Sequence, residues 1–250
     1  MTEAADEAGR RRIYLMRHGA VAYFDESGLP VDPETVPLTA AGRDQAQATH
    51  ELLAGISFDR VVASGLPRTM ETAAIVAPER TVEVWPELRE LRGAHLSSIP
   101  PAELEEAFVH AFRGVVPNEK RFLGGETIGE LFDRVVPAIG RLLADRSWDT
   151  VLLVLHGAVN RAILSHALTG ERMFLGHFEQ APGCVNVLDV GEADGWIVRA
   201  VNVDPSDLAH RATRQTTMEG YWERFRGSLG PGDPPANGDG AGDAGPVGRA

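Results

Sequence analysis

One cysteine, Cys184, is all that the 250 residues contain, which excludes an intrachain disulfide and any zinc site built on several thiolates. Basic residues are also scarce: 24 Lys and Arg face 36 Asp and Glu, for a formal net charge of −12. A surface of that sign repels nucleic-acid phosphates and anionic lipid headgroups, so neither a nucleic acid nor a membrane is expected as a partner. No apolar run approaches the roughly 18–20 residues of a bilayer span. Met1–Arg12 holds no apolar stretch of signal-peptide length, and a reducing, cytoplasmic location is the expectation. Neither a His-Glu-x-x-His pair nor a phosphate loop ending in Lys-Ser or Lys-Thr occurs, and no metal or cofactor is expected.

What is present suits a folded enzyme-sized domain. Hydrophobic residues make up 43% of the chain and charged residues 24%, enough apolar material for one core. The ends differ from the middle. Residues 1–10 are small and polar and read as a flexible N-terminus. From Gly227 to Ala250 there are eight Gly and four Pro in 24 residues, a composition that reads as a disordered tail. The domain proper is therefore placed at 11–226.

Within it, strand and helix patterns alternate. Strands are expected at Ile13–Met16, Arg60–Ser64, Thr81–Trp85, Thr150–Leu155, Cys184–Val190 and Trp196–Val203. Helices are expected at Ala40–Leu53 behind the N-cap Thr39, at Pro67–Val76, Pro101–Phe112, Thr127–Asp145 and Val159–Leu168. Glu130, three residues after Thr127, completes a capping box, and Pro137 should kink that helix. A further helix is expected around Tyr221, Trp222 and Phe225, as packing anchors. Thr150–Leu155 shows no polar alternation, as a strand buried on both faces does. The alternation predicts an α/β three-layer sandwich, a mostly parallel central sheet with helices on both faces. In such sheets ligands bind at the carboxyl ends of the strands.

Those ends carry the chemistry. The first strand ends in Arg17-His18-Gly19, the second in Ser64 with Arg68 in the next helix turn, and the central strand in His156-Gly157; Glu87, Glu90 and Arg92 follow the third. Arginine forks match phosphate oxygens, a neutral imidazole is a nucleophile toward phosphorus, and a carboxylate can protonate a leaving alkoxide. Gathering so much mixed charge at one sheet edge is costly without a ligand or a tight ion-pair network. The long acidic connection Tyr23–Pro37 reads as a solvated loop or as a lid, and His95 as a loop histidine.

These segments, taken in order, resemble the histidine phosphatase superfamily, which includes the cofactor-dependent phosphoglycerate mutases. The resemblance rests on Arg17-His18-Gly19, on Leu38-Thr39-Ala40-Ala41-Gly42, on Ser64-Gly65-Leu66-Pro67-Arg68-Thr69, on Gly124-Gly125-Glu126-Thr127 and on Val154-Leu155-His156-Gly157. It implies a phosphoglycerate mutase-like fold and a phosphohistidine mechanism. By that resemblance His18 is the nucleophile, and Arg17, Arg68, His156 and Gly157 bind the phosphoryl group. Glu90 is the general acid and base, with Glu87 as the alternative carboxylate. The expected activity is that of a metal-independent phosphomonoester hydrolase, of the histidine acid phosphatase type, acting on a small phosphorylated metabolite. A homodimer is left open. Ala20, Val21 and Phe24 stand where the family's mutases have polar residues, which favours hydrolysis over phosphoryl return.

Three rivals remain. A phosphoglycerate-type mutase would keep the phosphoryl group on the enzyme. A serine hydrolase would use Ser64 with His156 as base, although Val62 and Leu66 replace the glycines of a nucleophile elbow. A phospho-ligand-binding module would have the site without turnover.

Overall fold

The computed structural model describes residues 9–25, 31–94, 99–191, 195–212 and 214–228. Most of the expected flexible N-terminus, the tail beyond Ser228, and His95 lie outside the described residues. In chain order the elements are β1 (Arg11–Arg17), α1 (Ala40–Leu52), β2 (Arg60–Ala63), α2 (Pro67–Val76), β3 (Val82–Val84), α3 (Leu104–Val109), β4 (Val115–Val116) and α4 (Ile128–Ala144). They continue with β5 (Thr150–Leu155), α5 (Gly157–Thr169), β6 (Phe174–Leu175), β7 (Val185–Gly191), β8 (Gly195–Val203) and α6 (Thr217–Ser228).

The main sheet has the order β3-β2-β5-β1-β7-β8. β3, β2, β5 and β1 run parallel, while β7 and β8 add on antiparallel. Side-chain alternation along the central strands builds two separate cores, one per face. Val151, Leu153 and Leu155 of β5 join Ile13 and Leu15 of β1 beneath α4 and α5. Leu152 and Val154 join Tyr14 and Met16 beneath α1 and α2. That is the three-layer α/β sandwich the pattern implies.

Local chemistry sets the helix starts. The Thr39 hydroxyl accepts from the Gly42 amide, and Thr127 with Glu130 forms the reciprocal capping box. α4 continues through Pro137. Gly19 and Gly42 are needed for close approach. A Cβ on Gly19 would stand 2.2 Å from the Gly42 carbonyl oxygen, and one on Gly42 2.2 Å from that of Ala20.

Some boundaries differ from the expectation. The helix expected at Pro101–Phe112 is a 3-10 turn, Pro101–Glu103, followed by the short α3. It stops early because the chain reverses at Gly114, at φ +67°, to enter β4. β4 pairs with β6 in a two-residue ladder with no advance signal. β3 is shorter than Thr81–Trp85 because Pro86 opens a 3-10 turn, Pro86–Leu88. A third apolar cluster stands apart from the sheet: Leu104 and Phe108 of α3 pack on Trp222 and Phe225 of α6.

Candidate active site

β2, β5 and β1 are neighbours in parallel, so their carboxyl ends open at one edge, with Arg17 paired to Leu155 and Ala63 to Val154. That adjacency brings His18 beside His156, ring centroids 5.2 Å apart. Being at a strand end does not make His18 peripheral: it is 1% exposed, and Arg17, Arg68 and His156 are buried with it.

The partners of His18 fix its tautomer. Nδ1 lies 2.7 Å from the Gly19 carbonyl oxygen, which only accepts, so Nδ1 carries the proton. Arg68 Nε donates to Nε2 at 3.2 Å, so Nε2 carries the lone pair. Arg68 also donates from Nη1 to the Pro33 carbonyl. His156 is held by Ser64, Oγ to Nε2 at 2.8 Å. Arg17 Nη1 donates to the Gln180 carbonyl and, at 3.1 Å, to Thr217 Oγ1 of α6; Tyr221 Oη lies 3.4 Å from Nη2.

Two buried nitrogens at this edge have no protein partner among the described residues: Arg17 Nε and His156 Nδ1. Gly157 leaves the space between them and Arg161 open. A Cβ there would lie 3.2 Å from Arg161 Nη1 and 3.7 Å from Arg17 Nε. Buried polar nitrogens without partners are costly, and a tetrahedral oxyanion in this cradle would satisfy Arg17 Nε directly and His156 Nδ1 once that nitrogen carries a proton.

Burial pushes the His18 imidazole well below its ordinary pKa, with Arg68 and then Arg17 adding to the effect. His156 is pushed the same way, first by burial, then by Arg68, His18 and Arg17. Both rings are therefore neutral in the folded, unliganded protein near pH 7. The unfolded chain takes up protons first as pH falls. Stability is full above about pH 6.5 and drops below it by up to ~1.4 kcal/mol per pH unit for each histidine, until the folded pKa is reached. Denaturant midpoints in phosphate-free buffer at pH 7.5 and 5.5 should show this loss. The double variant His18→Gln/His156→Gln should flatten it, and an equal slope in that variant would count against the neutral pair.

The two carboxylates separate cleanly. Glu90 faces the cavity above the histidines, and its oxygens accept from the Ala158 amide at 3.2 and 3.4 Å, at the start of α5. Glu87 lies on the 3-10 turn and pairs outward with Arg141 at 3.1 Å. The segment between them is clamped by residues whose part was not apparent from the sequence. Arg134 of α4 donates to the carbonyls of Glu87 at 2.7 Å, Arg89 at 2.6 Å and Glu90 at 3.2 Å. It also forks onto Glu126, whose carboxylate accepts from the Arg92 amide. On spacing alone Arg134 reads as a solvated helix residue.

Ser64 and His156 do stand at the distance of a nucleophile and its base. Ser64, however, is fully buried beneath the cavity, and among the described residues no carboxylate orients His156 Nδ1. Ser64 thus serves to hold His156. Cys184 is buried behind Arg17, with its thiol pushed up to about 12 by burial, and is no nucleophile. Among the described residues no three His, Cys, Asp or Glu side chains are grouped to hold a metal ion, and no helix is long and apolar enough to cross a membrane.

Above the cradle a cavity of about 780 Å³ opens. The Tyr23–Pro37 connection contributes Tyr23, Phe24 and the 31–34 stretch to its wall; residues 26–30 lie outside the described residues. α6 contributes Thr217, Met218 and Tyr221.

The sequence matches the histidine phosphatase superfamily (branch 1) over residues 13–204. It is similar to the adenosylcobalamin/alpha-ribazole phosphatase of Escherichia coli strain K12, 30% identical over 191 residues that cover 72% of this chain and 91% of that protein. It is similar to phosphoglycerate mutase-like protein 4 of Arabidopsis thaliana, 27% identical over 203 residues, covering 78% and 86%. Among solved structures, the alpha-ribazole phosphatase from Shigella flexneri superposes with a TM-score of 0.62 at 26% identity, covering 76% of this chain and 96% of that one.

Proposed function

The chain belongs to the histidine phosphatase superfamily, and from that premise we propose that it is a metal-independent phosphomonoesterase working through a phosphohistidine. The observation that carries this reading is the cradle itself. His18 presents a lone pair at Nε2, flanked by Arg68, with Arg17 Nε and His156 Nδ1 buried and unpartnered beside it.

His18 Nε2 attacks phosphorus while the P–O bond to the alcohol breaks. Arg17, Arg68 and His156 spread the charge of the three equatorial oxygens in a site from which water is largely excluded. A bound phosphoryl dianion offsets the burial and the arginine field that keep His156 neutral, so the ring takes up a proton with the substrate and donates from Nδ1. Gly157 lets the group approach without a side chain in its path. Glu90 delivers a proton to the leaving alkoxide and then removes one from the water that hydrolyses the phosphohistidine. Arginine and histidine supply the positive charge that a metal would otherwise bring.

The mutase reading is less well supported because Ala20, Val21 and Phe24 offer no side-chain hydrogen bond to a second acidic group. Release of inorganic phosphate from a panel of small phosphorylated metabolites decides between them. Turnover should survive EDTA and be indifferent to added bisphosphoglycerate. Activity that dies with EDTA and returns with zinc or magnesium, or that requires a bisphosphate primer, overturns the proposal.

A further inference from the structure

The wall of the cavity narrows the substrate class, on the premise that the site is the phosphatase site just described. We infer that the alcohol released by this enzyme carries a flat apolar ring system rather than a polyhydroxylated body.

Burial sorts the cavity into three levels. At the floor Arg17, Arg68 and Arg161 are buried, and at the rim Asp32, Glu34, Arg89 and Arg92 are exposed. Between them, among the described residues, stand the half-buried Tyr23, Phe24, Phe112, Phe122 and Tyr221, with Phe108 buried beside them. A phosphoryl group seated at the floor therefore places whatever its ester oxygen carries against rings.

These rings hold one another in place, with Phe225 outside the cavity. Phe112 stacks on Phe122, with centroids 5.4 Å apart and planes 8° apart. Phe108 stacks on Phe225 at 5.7 Å, and Tyr23 meets Tyr221 edge-on at 5.3 Å. Rings already held in place by their neighbours suit a further ring, which gains offset or edge contacts without ordering the wall. A sugar would strip water from its hydroxyls there and find few partners in return.

A backbone feature points the same way. Phe122–Gly125 is a tight turn closed by the Gly125 amide on the Phe122 carbonyl at 2.8 Å, with Leu123 at φ +47° and Gly124 at φ +73°. Positive φ at both central positions is the turn that Asn-Gly favours, and leucine is strained in it. The strained conformation sets the Leu123 side chain in the cavity wall and against the Phe108–Trp222–Phe225 cluster. Such strain clusters where a side chain is placed for a ligand.

Binding, which needs no turnover, tests the inference. Calorimetry on the full chain compares naphthylethylphosphonate with the phosphonate isostere of glucose 6-phosphate. The aromatic ligand should bind about tenfold tighter or more, the scale of one well-packed ring contact with its buried area. L123N, which restores Asn-Gly, should hold or raise Tm and weaken the naphthyl ligand by about fivefold or more while leaving the sugar ligand unchanged. M218Q, on the α6 side of the wall, should weaken the naphthyl ligand alone. Equal or tighter binding of the sugar ligand, or naphthyl affinity unmoved by both variants, overturns the inference. Failure of the matching esters to be hydrolysed counts instead against the phosphatase reading, because the binding order does not depend on it.

Discussion

His18→Ala should lose phosphatase turnover by about 10⁴-fold or more, ~5.4 kcal/mol of barrier, because the variant has no group to take the phosphoryl. The wild type, quenched during turnover, should carry phosphate that is labile in acid and stable in base. The tautomer fixes the position: with Nδ1–H held on the Gly19 carbonyl, the phosphate should sit on Nε2, as phosphorus NMR of the digested peptide can read. Since His18 is buried, its removal leaves a small cavity and frees Arg68 Nε, so a stability cost of about 1–3 kcal/mol is expected. The control is therefore inorganic phosphate binding, which should persist through Arg17, Arg68 and His156. Phosphate binding retained with turnover gone identifies the nucleophile. Substantial turnover in the variant would sink the phosphohistidine mechanism, and phosphate found on Nδ1 would sink the tautomer assignment.

The strand ends were legible because alternating strand and helix patterns imply a mostly parallel sheet: an unbroken Thr150–Leu155 reads as a strand buried on both faces, and parallel strands bring their carboxyl ends to one edge. His18, Arg17, Arg68, His156 and Gly157 could be set at that edge on this basis, while their expected roles came from the family resemblance. Contacts between distant segments could not. Thr217 and Tyr221 reach Arg17 from 200 residues away, and nothing in an amphipathic C-terminal segment states which strand end it will cover. Tyr221, expected only to pack, also faces the cavity. Arg134 was hidden for a different reason: a charged residue on a helix reads as solvated unless the loop it grips is known. Leu123 was illegible because single-residue φ follows from the turn that closes around it. Glu87 and Glu90 sit in an irregular segment with no repeating period, so spacing could not tell inward from outward. The 3-10 turn at Pro86–Leu88 makes that choice, sending Glu87 to Arg141.

That choice predicts opposite behaviour for the two carboxylates. General acid catalysis is worth typically about 10²–10⁴-fold, and its worth shrinks when the leaving group is already a stable anion. Glu90→Gln should therefore depress hydrolysis of an alkyl phosphate by about 10²-fold or more and that of p-nitrophenyl phosphate much less in the first step. The second step has no such escape, because the same carboxylate activates water. The phosphoenzyme should accumulate, and the nitrophenyl ester should show a burst of one equivalent followed by slow turnover. Glu87→Gln removes only an exposed pair with Arg141 and should leave both rates and the burst unchanged. Arg134→Gln is the finer probe. It touches no substrate, yet it releases the carbonyls of residues 87, 89 and 90, so it should shift the alkyl-to-aryl ratio in the Glu90 direction with KM for the aryl ester held. A merely structural role would lower both substrates together and lower Tm with them. If Glu87→Gln carries the alkyl defect and the burst, the acid is Glu87, and the segment must turn over when substrate binds. If Glu90→Gln slows both esters equally without a burst, proton delivery is not its part in the reaction.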